Sequence, residues 1–284
     1  MKIAFAGLGV MGAPMARHLV TAGHDVTGYN RSAAKAQAWA GANGGGWAAT
    51  VAEAAEGAEL FVLCVGNDDD VRQVVTEALP HLAASAVIVD HTTTSAKVAR
   101  EMAALATGTG RFFIDAPVSG GQAGAENGQL SVMAGGDAGA LARVEAAVMA
   151  YSKAIKHMGP SGAGQLTKMV NQIAIAGVVQ GLAEAVHFAR AAGLDTDAVY
   201  DAVSKGAAQS WQMDNRWKTA AAGQFEFGFA VDWMRKDLGL VLDEARANGA
   251  TLDMTAVVDG YYVEVQAMGG ARWDTSSLKA RLKP

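Results

Sequence analysis

Cysteine is almost absent from this 284-residue chain, and its scarcity excludes a disulfide-stabilised fold. Cys64 is the only cysteine, so no intrachain disulfide can form. Its apolar neighbours from Leu60 to Val65 predict a buried thiol within a strand. The six histidines show no metal-ligand spacing, so we expect no metal site.

Charge is also sparse. Charged residues make up 18% of the chain, and the formal net charge is −5 with no run of lysine or arginine. Without a basic surface, we expect neither nucleic acid nor a membrane as a partner, and small molecules instead. Polar and glycine residues interrupt the first apolar stretch before a signal-peptide core could end, which predicts a cytoplasmic protein. The hydrophobic content of 51% is enough for a large core in one large or two medium domains.

Glycine, in contrast, is abundant, and the most informative glycines lie near the start of the chain. An apolar strand, Lys2–Ala6, leads directly into a G-x-G-x-x-G turn, and a helix is predicted from Met11 to Ala22. In such a turn the first glycine permits the tight bend, the second lets the backbone approach a pyrophosphate, and the third lets the helix pack on the strand. The free N–H groups at the helix start then face the phosphates. The sequence therefore predicts a dinucleotide site formed by Gly7, Leu8, Gly9, Val10, Met11 and Gly12.

The rest of the chain changes character once. Short β-branched or apolar runs alternate with Ala-rich segments up to a break at Gly159-Pro160-Ser161-Gly162, and long helical segments dominate beyond it. We therefore predict an α/β, Rossmann-type, doubly wound parallel sheet over 1–161 and an all-α domain over 162–284. The predicted strands are Lys2–Ala6, Asp25–Tyr29, Leu60–Val65, Val87–Asp90 and Phe112–Ala116, with later ones near Leu130–Ala134 and Ala154–His157. Gly44-Gly45-Gly46 is expected to form a loop.

The second domain opens with a helix predicted from Gln165 to Ala192. It is longer than most globular helices, and polar residues interrupt its apolar stretch. These interruptions favour a buried core helix over a membrane span.

The end of the second predicted strand indicates which dinucleotide is bound. An NAD site usually has a carboxylate there for the ribose 2′-hydroxyl, but this chain reads Tyr29-Asn30-Arg31-Ser32. Asn30 and Ser32 can form hydrogen bonds, and Arg31 can pair with a 2′-phosphate, which favours NADP. The alternative is NAD held through backbone contacts, with Arg31 a solvated surface charge.

Four motifs in order carry a resemblance to a known family. They are the glycine turn, Ala116-Pro117-Val118-Ser119-Gly120-Gly121, Lys168-Met169-Val170-Asn171-Gln172 and Lys236-Asp237-Leu238. Together they resemble the β-hydroxyacid dehydrogenase family, which includes 3-hydroxyisobutyrate dehydrogenases, tartronate semialdehyde reductases and glyoxylate/succinic semialdehyde reductases. The resemblance spans essentially the whole chain. It implies hydride transfer between NADP(H) and a small β-hydroxyacid or its semialdehyde, in a homodimer or homotetramer.

The resemblance also implies roles for the second and third motifs. Ser119, Gly120 and Gly121 offer a hydroxyl and unshielded backbone N–H groups that suit a carboxylate, although a structural turn after a strand is the alternative. Lys168 and Asn171, three residues apart, share one face of a helix. Lost hydration would lower the pKa of a lysine on this apolar helix toward the working pH. The resemblance implies Lys168 as acid/base and Asn171 as substrate-orienting; a lysine snorkelling to the surface is the alternative.

Five further residues are implied as ligands of the cofactor or substrate. Lys236 is similar to a family lysine that reaches the cofactor and substrate region. Thr92 and Thr93 match a pair beside the nicotinamide, although a helix cap explains them equally well. Val65 is the C-terminal residue of a predicted strand, where the cofactor crosses the sheet. Trp211 falls where the family varies its substrate pocket, with a place in the core as the alternative.

Two other functions remain open on the same fold. One is an NADPH-dependent imine reductase, and the other is a non-catalytic cofactor-binding protein. The presence of Lys168 weighs against both, because relatives of either kind tend to replace or lose this lysine. The physiological substrate is not identified, because the anchoring residues recognise only the common hydroxyacid end.

Overall fold

The structure, a computed structural model, describes residues 1–282. The chain forms two compact units, one of them Met1–Lys168 and the other beginning at Met169. The boundary predicted between 161 and 162 falls just before the helix that spans this division. The division into a cofactor-binding domain and a helical domain at this boundary stays a prediction.

One nine-stranded sheet forms the centre of the first unit. Its strands are β1 (Lys2–Ala6), β2 (Asp25–Tyr29), β3 (Gly46–Trp47), β4 (Leu60–Leu63), β5 (Val87–Asp90), β6 (Phe112–Asp115), β7 (Val118–Ser119), β8 (Leu130–Gly135) and β9 (Ser152–Gly159). The first six lie in the order β3-β2-β1-β4-β5-β6, and all their pairings are parallel. The strand order reverses at β1, as in a doubly wound sheet, so the predicted fold class is confirmed.

The exceptions to parallel pairing both involve β8. Strand β8 pairs antiparallel with β6 and β7, and parallel with β9. The segment between β7 and β8 is too short for a full crossover connection, so the chain returns antiparallel. At the opposite edge, Gly46 belongs to β3 and pairs with Thr27. The loop expected for Gly44 to Gly46 therefore ends one residue early.

Helices cover both faces of this sheet. They are α1 (Gly12–Thr21), α2 (Ala33–Asn43), α3 (Val51–Ala55), α4 (Asp68–Ala78), α5 (Ala96–Gly108), α6 (Gly121–Glu126) and α7 (Ala138–Met149). Along β1, Ile3 and Phe5 belong to one apolar cluster while Ala4 and Ala6 belong to the other. Alternate residues of a strand point to opposite faces, so β1 is buried on both sides, as the central strand of a parallel sheet must be.

The second unit is helical, as predicted. The helices are α8 (Ala163–Ala191), which begins in the first unit, α9 (Thr196–Val203), α10 (Trp211–Ala222), α11 (Val231–Asn248) and α12 (Asp253–Ala267). Val179, Met234 and Tyr262 join α8, α11 and α12 in one apolar cluster. A smaller cluster around Trp217 joins α8 and α10.

Helix α8 is long and apolar enough to cross a membrane by length and composition alone, with a mean hydropathy of 1.3. Its glutamines Gln165, Gln172 and Gln180 are buried, and each donates a hydrogen bond to a protein group. Buried amides that donate to protein groups are typical of the core helix of a globular unit. These contacts favour the core helix that the sequence predicts.

Candidate active site

In the glycine turn between β1 and α1, Gly7 and Gly12 lie against other backbone atoms, whereas the middle glycine, Gly9, has open space beside it. Gly7 has φ +97°, and a Cβ placed there would collide with the Cys64 carbonyl oxygen. A Cβ on Gly12 would collide with the carbonyl oxygen of Gly7. A Cβ on Gly9 would meet no described atom within 4 Å. This is the arrangement that lets a pyrophosphate approach the backbone at the middle glycine, so the turn fits a dinucleotide.

Asn30, at the end of β2, holds this turn from the side. Its Oδ1 accepts a hydrogen bond of 3.2 Å from the backbone N–H of Leu8, and Gly7 donates one of 2.9 Å to the Tyr29 carbonyl oxygen. Ser32 precedes α2 without capping it through its side chain, and its residue is exposed. The structure therefore places Asn30 in contact with the glycine turn.

Arg31 has a partner that the sequence does not reveal. Its side chain is 83% exposed, and its Nη1 lies 3.4 Å from Oδ1 of Asp70. The other oxygen of Asp70 accepts a hydrogen bond from the backbone N–H of Gly66 at 3.1 Å. Because β1 lies between β2 and β4, residues that follow those two strands meet at one edge of the sheet. Asp70 was missed because it is 39 residues away in sequence.

Val65 and Thr92 join the ends of two neighbouring strands. The backbone N–H of Val65 donates to Oγ1 of Thr92 at 3.0 Å, whereas α5 is capped by Ser95. The helix-cap interpretation is therefore wrong for Thr92. Thr93 is half-buried, and so is Cys64, which lies just beyond β4 instead of being buried within it.

The predicted carboxylate cradle lies where β7 gives way to α6. Ser119 ends β7, and Gly120 and Gly121 are exposed with φ of +131° and +61°. Positive φ favours glycine, and a Cβ on Gly121 would meet no described atom within 4 Å. Both glycines therefore lie at the surface where the cradle is predicted, and their binding of a carboxylate stays a prediction.

Lys168 lies in the second turn of α8 and is only 8% exposed. This burial leaves little of the residue at the surface, so it disfavours the alternative of a lysine snorkelling to the surface. The acid/base role that the resemblance implies for Lys168 stays a prediction.

Two buried polar residues that sequence reasoning missed fix the start of α8. Asp115, at the end of β6, accepts hydrogen bonds from the backbone N–H groups of Gly162 and Gln165 at 2.7 and 3.0 Å. Burial raises the pKa of Asp115, and these N–H donors oppose the rise. The Gln165 side chain bonds to the backbone of Thr92 and Thr94. The sequence offered two signals: Gln165 is a polar residue three positions before Lys168, and Asp115 immediately precedes the second motif.

In the second unit, Asn171 and Lys236 are linked through two buried side chains. Asn171 Nδ2 donates to Oε1 of Gln172 at 2.8 Å, and Gln172 Nε2 donates to Oδ2 of Asp237 at 2.8 Å. The other oxygen of Asp237 lies 3.1 Å from Nζ of Lys236. The sequence alone indicates no role for Gln172 or Asp237. In the structure, their hydrogen bond connects the third motif to the fourth.

Trp211 begins α10 and is 58% exposed, so the interpretation as a core residue is wrong. Its ring lies 4.9 Å from the guanidinium carbon of Arg216. Arg216 in turn bonds through Nε to the buried carboxylate of Asp274 at 2.9 Å. This pairing orients an exposed aromatic surface.

The chain has a glycine turn on a doubly wound sheet, followed by a helical second unit. This combination is typical of an oxidoreductase that uses a nicotinamide dinucleotide. The model of the NAD-binding domain of 6-phosphogluconate dehydrogenase matches residues 2–159, and that of the NAD-binding domain of NADP-dependent 3-hydroxyisobutyrate dehydrogenase matches residues 162–282. The chain belongs to the 3-hydroxyisobutyrate dehydrogenase family of β-hydroxyacid dehydrogenases.

Proteins similar to this chain match it over nearly its full length. An uncharacterized oxidoreductase of Shewanella frigidimarina is 61% identical over 99% of this chain and 98% of its own. A probable 3-hydroxyisobutyrate dehydrogenase-like protein of Arabidopsis thaliana is 38% identical over 99% and 85%. The solved structure of Mycobacterium tuberculosis 3-hydroxyisobutyrate dehydrogenase with L-serine has a TM-score of 0.91 at 33% identity, covering 99% of both chains. The protein is an NAD(P)-dependent dehydrogenase acting on CH–OH groups.

Proposed function

We propose that this enzyme transfers a hydride between NADP(H) and a small β-hydroxyacid such as 3-hydroxyisobutyrate, or its semialdehyde, with Lys168 as general acid/base. The observation that carries the proposal is the burial of Lys168 on a helix whose first turn is bonded to the loop after β5. A buried lysine on a helix that is bonded to the loop at the carboxyl end of β5 is suited to exchanging a proton with a bound hydroxyl group.

The residues divide the reaction between them. Ser119, Gly120 and Gly121 bind the substrate carboxylate, and Asn171 orients the hydroxyl group. In oxidation, the neutral amine of Lys168 takes the hydroxyl proton while the carbon–oxygen double bond forms and the hydride leaves carbon. In reduction, the Lys168 ammonium returns that proton to the carbonyl oxygen. The nicotinamide, when bound, supplies or accepts the hydride.

The cofactor is assigned from the residues proposed to bind its pyrophosphate and its 2′-phosphate. The glycine turn binds the pyrophosphate, and Asn30, Arg31 and Ser32 bind the 2′-phosphate of NADP. The exposed guanidinium of Arg31 supports this, as does the lack of a carboxylate at the end of β2. Val65, Thr92, Thr93 and Lys236 are assigned to the rest of the cofactor, and Trp211 to the substrate pocket. The alternative is NAD, with the charge of Arg31 already neutralised by Asp70.

The decisive experiment follows the absorbance of NADPH and NADH with purified protein. The panel contains the semialdehyde of 3-hydroxyisobutyrate, glyoxylate, succinic semialdehyde and cyclic imines, with hydroxyacids and L-serine for the reverse direction. Oxidation of NADPH by a semialdehyde, with a lower KM than for NADH, is expected. Turnover of imines alone would instead indicate an imine reductase, and no turnover with any member would indicate a non-catalytic cofactor-binding protein.

We assign the protein to the cytoplasm, as a homodimer or homotetramer. Cell fractionation tests the location, because the activity should stay in the supernatant after membranes are pelleted. Recovery in the membrane fraction would contradict it.

A further inference from the structure

Gln165 is a fully buried amide, and both ends of its side chain bond to one loop. Its Oε1 accepts a hydrogen bond from the backbone N–H of Thr94 at 3.0 Å, and its Nε2 donates one to the carbonyl oxygen of Thr92 at 2.7 Å. These partners lie 71 and 73 residues away in sequence. One side chain thus ties α8 to the loop that follows β5.

The same loop is held from its other side. Thr92 Oγ1 accepts a hydrogen bond from the backbone N–H of Val65, two residues beyond β4. Gln165, Thr92 and Val65 therefore form a continuous chain of hydrogen bonds from α8 across two strand ends. In a doubly wound sheet these carboxyl ends are where the reacting end of a dinucleotide lies.

The backbone of Gln165 is fixed as well. Its N–H donates to Oδ2 of Asp115 at 3.0 Å, while Oδ1 of Asp115 accepts from Gly162 at 2.7 Å. The helix lies so close to the sheet that a Cβ on Gly164 would collide with the carbonyl oxygen of Met133. The first turn of α8 therefore has little freedom to slide along β6 and β8.

Lys168 follows Gln165 by three residues, so the two side chains leave the same face of α8. Whatever fixes the position of Gln165 relative to the loop also fixes the origin of the Lys168 side chain. We propose that Gln165 is a positioning residue for the reaction, which sets the distance from Lys168 to the loop of Thr92 to Thr94. This inference rests on the acid/base role proposed for Lys168.

The test compares three variants in reduction of the semialdehyde of 3-hydroxyisobutyrate by NADPH. Gln165→Met keeps length and removes both bonds, and Gln165→Glu keeps only an acceptor for Thr94. The matched control is Gln180→Met, a buried glutamine on the same helix that bonds only along the helix, to Glu184. A displacement of about 1 Å in a catalytic group costs roughly 10²-fold, so kcat should fall by about that factor in both Gln165 variants. The Kd of NADPH should change little, and Gln180→Met should turn over like the wild type.

A second measurement separates positioning from a general structural effect. If Gln165 acts through Lys168, Gln165→Met should cause no further loss of rate in the Lys168→Ala background. A loss that multiplies in the double variant would overturn the inference, as would an unchanged kcat in both Gln165 variants. Circular dichroism at the assay temperature checks folding, and Gln165→Glu serves alone should Gln165→Met fail to fold.

The two proposals fail in different ways. An inactive Lys168→Ala variant together with a fully active Gln165→Met variant rejects the positioning role and leaves the proposed function standing. A fully active Lys168→Ala variant rejects the acid/base role itself, whatever Gln165→Met does.

Discussion

Lys168 is the single residue on which the proposed proton transfer depends. Lys168→Ala removes the proton donor without touching the glycine turn, so kcat should fall about 10²- to 10⁴-fold while the Kd of NADPH stays nearly constant. Steady-state kinetics and titration of cofactor fluorescence measure the two quantities. Lys156→Ala, which removes an exposed lysine of β9, is the control and should behave like the wild type. Near-wild-type turnover by Lys168→Ala would refute the acid/base role.

Asp70 tunes the charge that a 2′-phosphate would meet at Arg31. Asp70→Asn keeps an oxygen that can accept from Gly66 and removes a negative charge 3.4 Å from the Arg31 guanidinium. One unit charge at this range near a surface is worth about 1 kcal/mol after screening, so the KM for NADPH should fall roughly fivefold. The KM for NADH should hardly move.

The neighbouring substitution Asp69→Asn is the matched control for Asp70→Asn. Asp69 pairs with Arg72 instead of Arg31 and is 93% exposed. The ratio of the two KM values should therefore stay at its wild-type level. An equal response of NADPH and NADH to Asp70→Asn would speak against a 2′-phosphate at Arg31.

His91 makes the stability of the protein sensitive to acid. Its ring is buried, with Nδ1 donating to the Ala116 carbonyl oxygen at 2.6 Å and Nε2 accepting from the Tyr151 hydroxyl at 2.8 Å. Burial lowers the pKa of His91 from 6.5 to about 4. Below pH 6.5 the unfolded chain binds a proton that the folded chain excludes, so stability falls until the pH reaches about 4.

The expected loss from this one group between pH 7.5 and 5.0 is about 2 kcal/mol. Urea unfolding at the two pH values measures it. His91→Gln should lower the stability at pH 7.5 and show a smaller loss on acidification than the wild type. An unchanged pH dependence in His91→Gln would show that another group carries it.

At the scale of the element, two glycines of the glycine turn should affect different properties: Gly12 the stability of the fold, and Gly9 the binding of the cofactor. Gly12→Ala places a Cβ against the Gly7 carbonyl oxygen and 3.0 Å from the Phe5 ring, so it should destabilise the fold by about 1–3 kcal/mol. Gly9→Ala places a Cβ in open space, so thermal stability without cofactor should not fall. It should nevertheless weaken NADPH binding, because the methyl group occupies the approach of the pyrophosphate. Scanning calorimetry and fluorescence titration test the pair, and unweakened binding by Gly9→Ala would place the pyrophosphate elsewhere.

At the scale of the whole molecule, the helical unit has an apolar groove of about 810 Å³ that includes Val178, Phe188 and Leu194. All three are exposed, and Phe188 is 70% exposed. Apolar surface of this kind supports the proposed homo-oligomer. Light scattering should give two or four times the chain mass of 29.2 kDa, and Phe188→Asp should lower that mass. A wild-type protein at the mass of one chain would reject the proposal.

The sequence by itself determined the elements and the class of the protein. The spacing of Gly7, Gly9 and Gly12, the apolar strands and the break at 159–162 depend on neighbours within a few residues, which a single sequence displays. The four motifs located the candidate site for the same reason, because each is a short run with its own local chemistry. The predicted strands and the long helix accordingly lie close to their observed bounds.

Only the tertiary structure decided which polar groups become partners. Arg31 meets Asp70, Gln165 meets Thr92 and Thr94, and Gln172 meets Asp237 because strand order and helix packing bring distant residues together. The antiparallel return of β8 was decided at the same level. Local patterns fix where a strand or helix forms, whereas the burial of a charge or amide depends on what the rest of the chain packs around it.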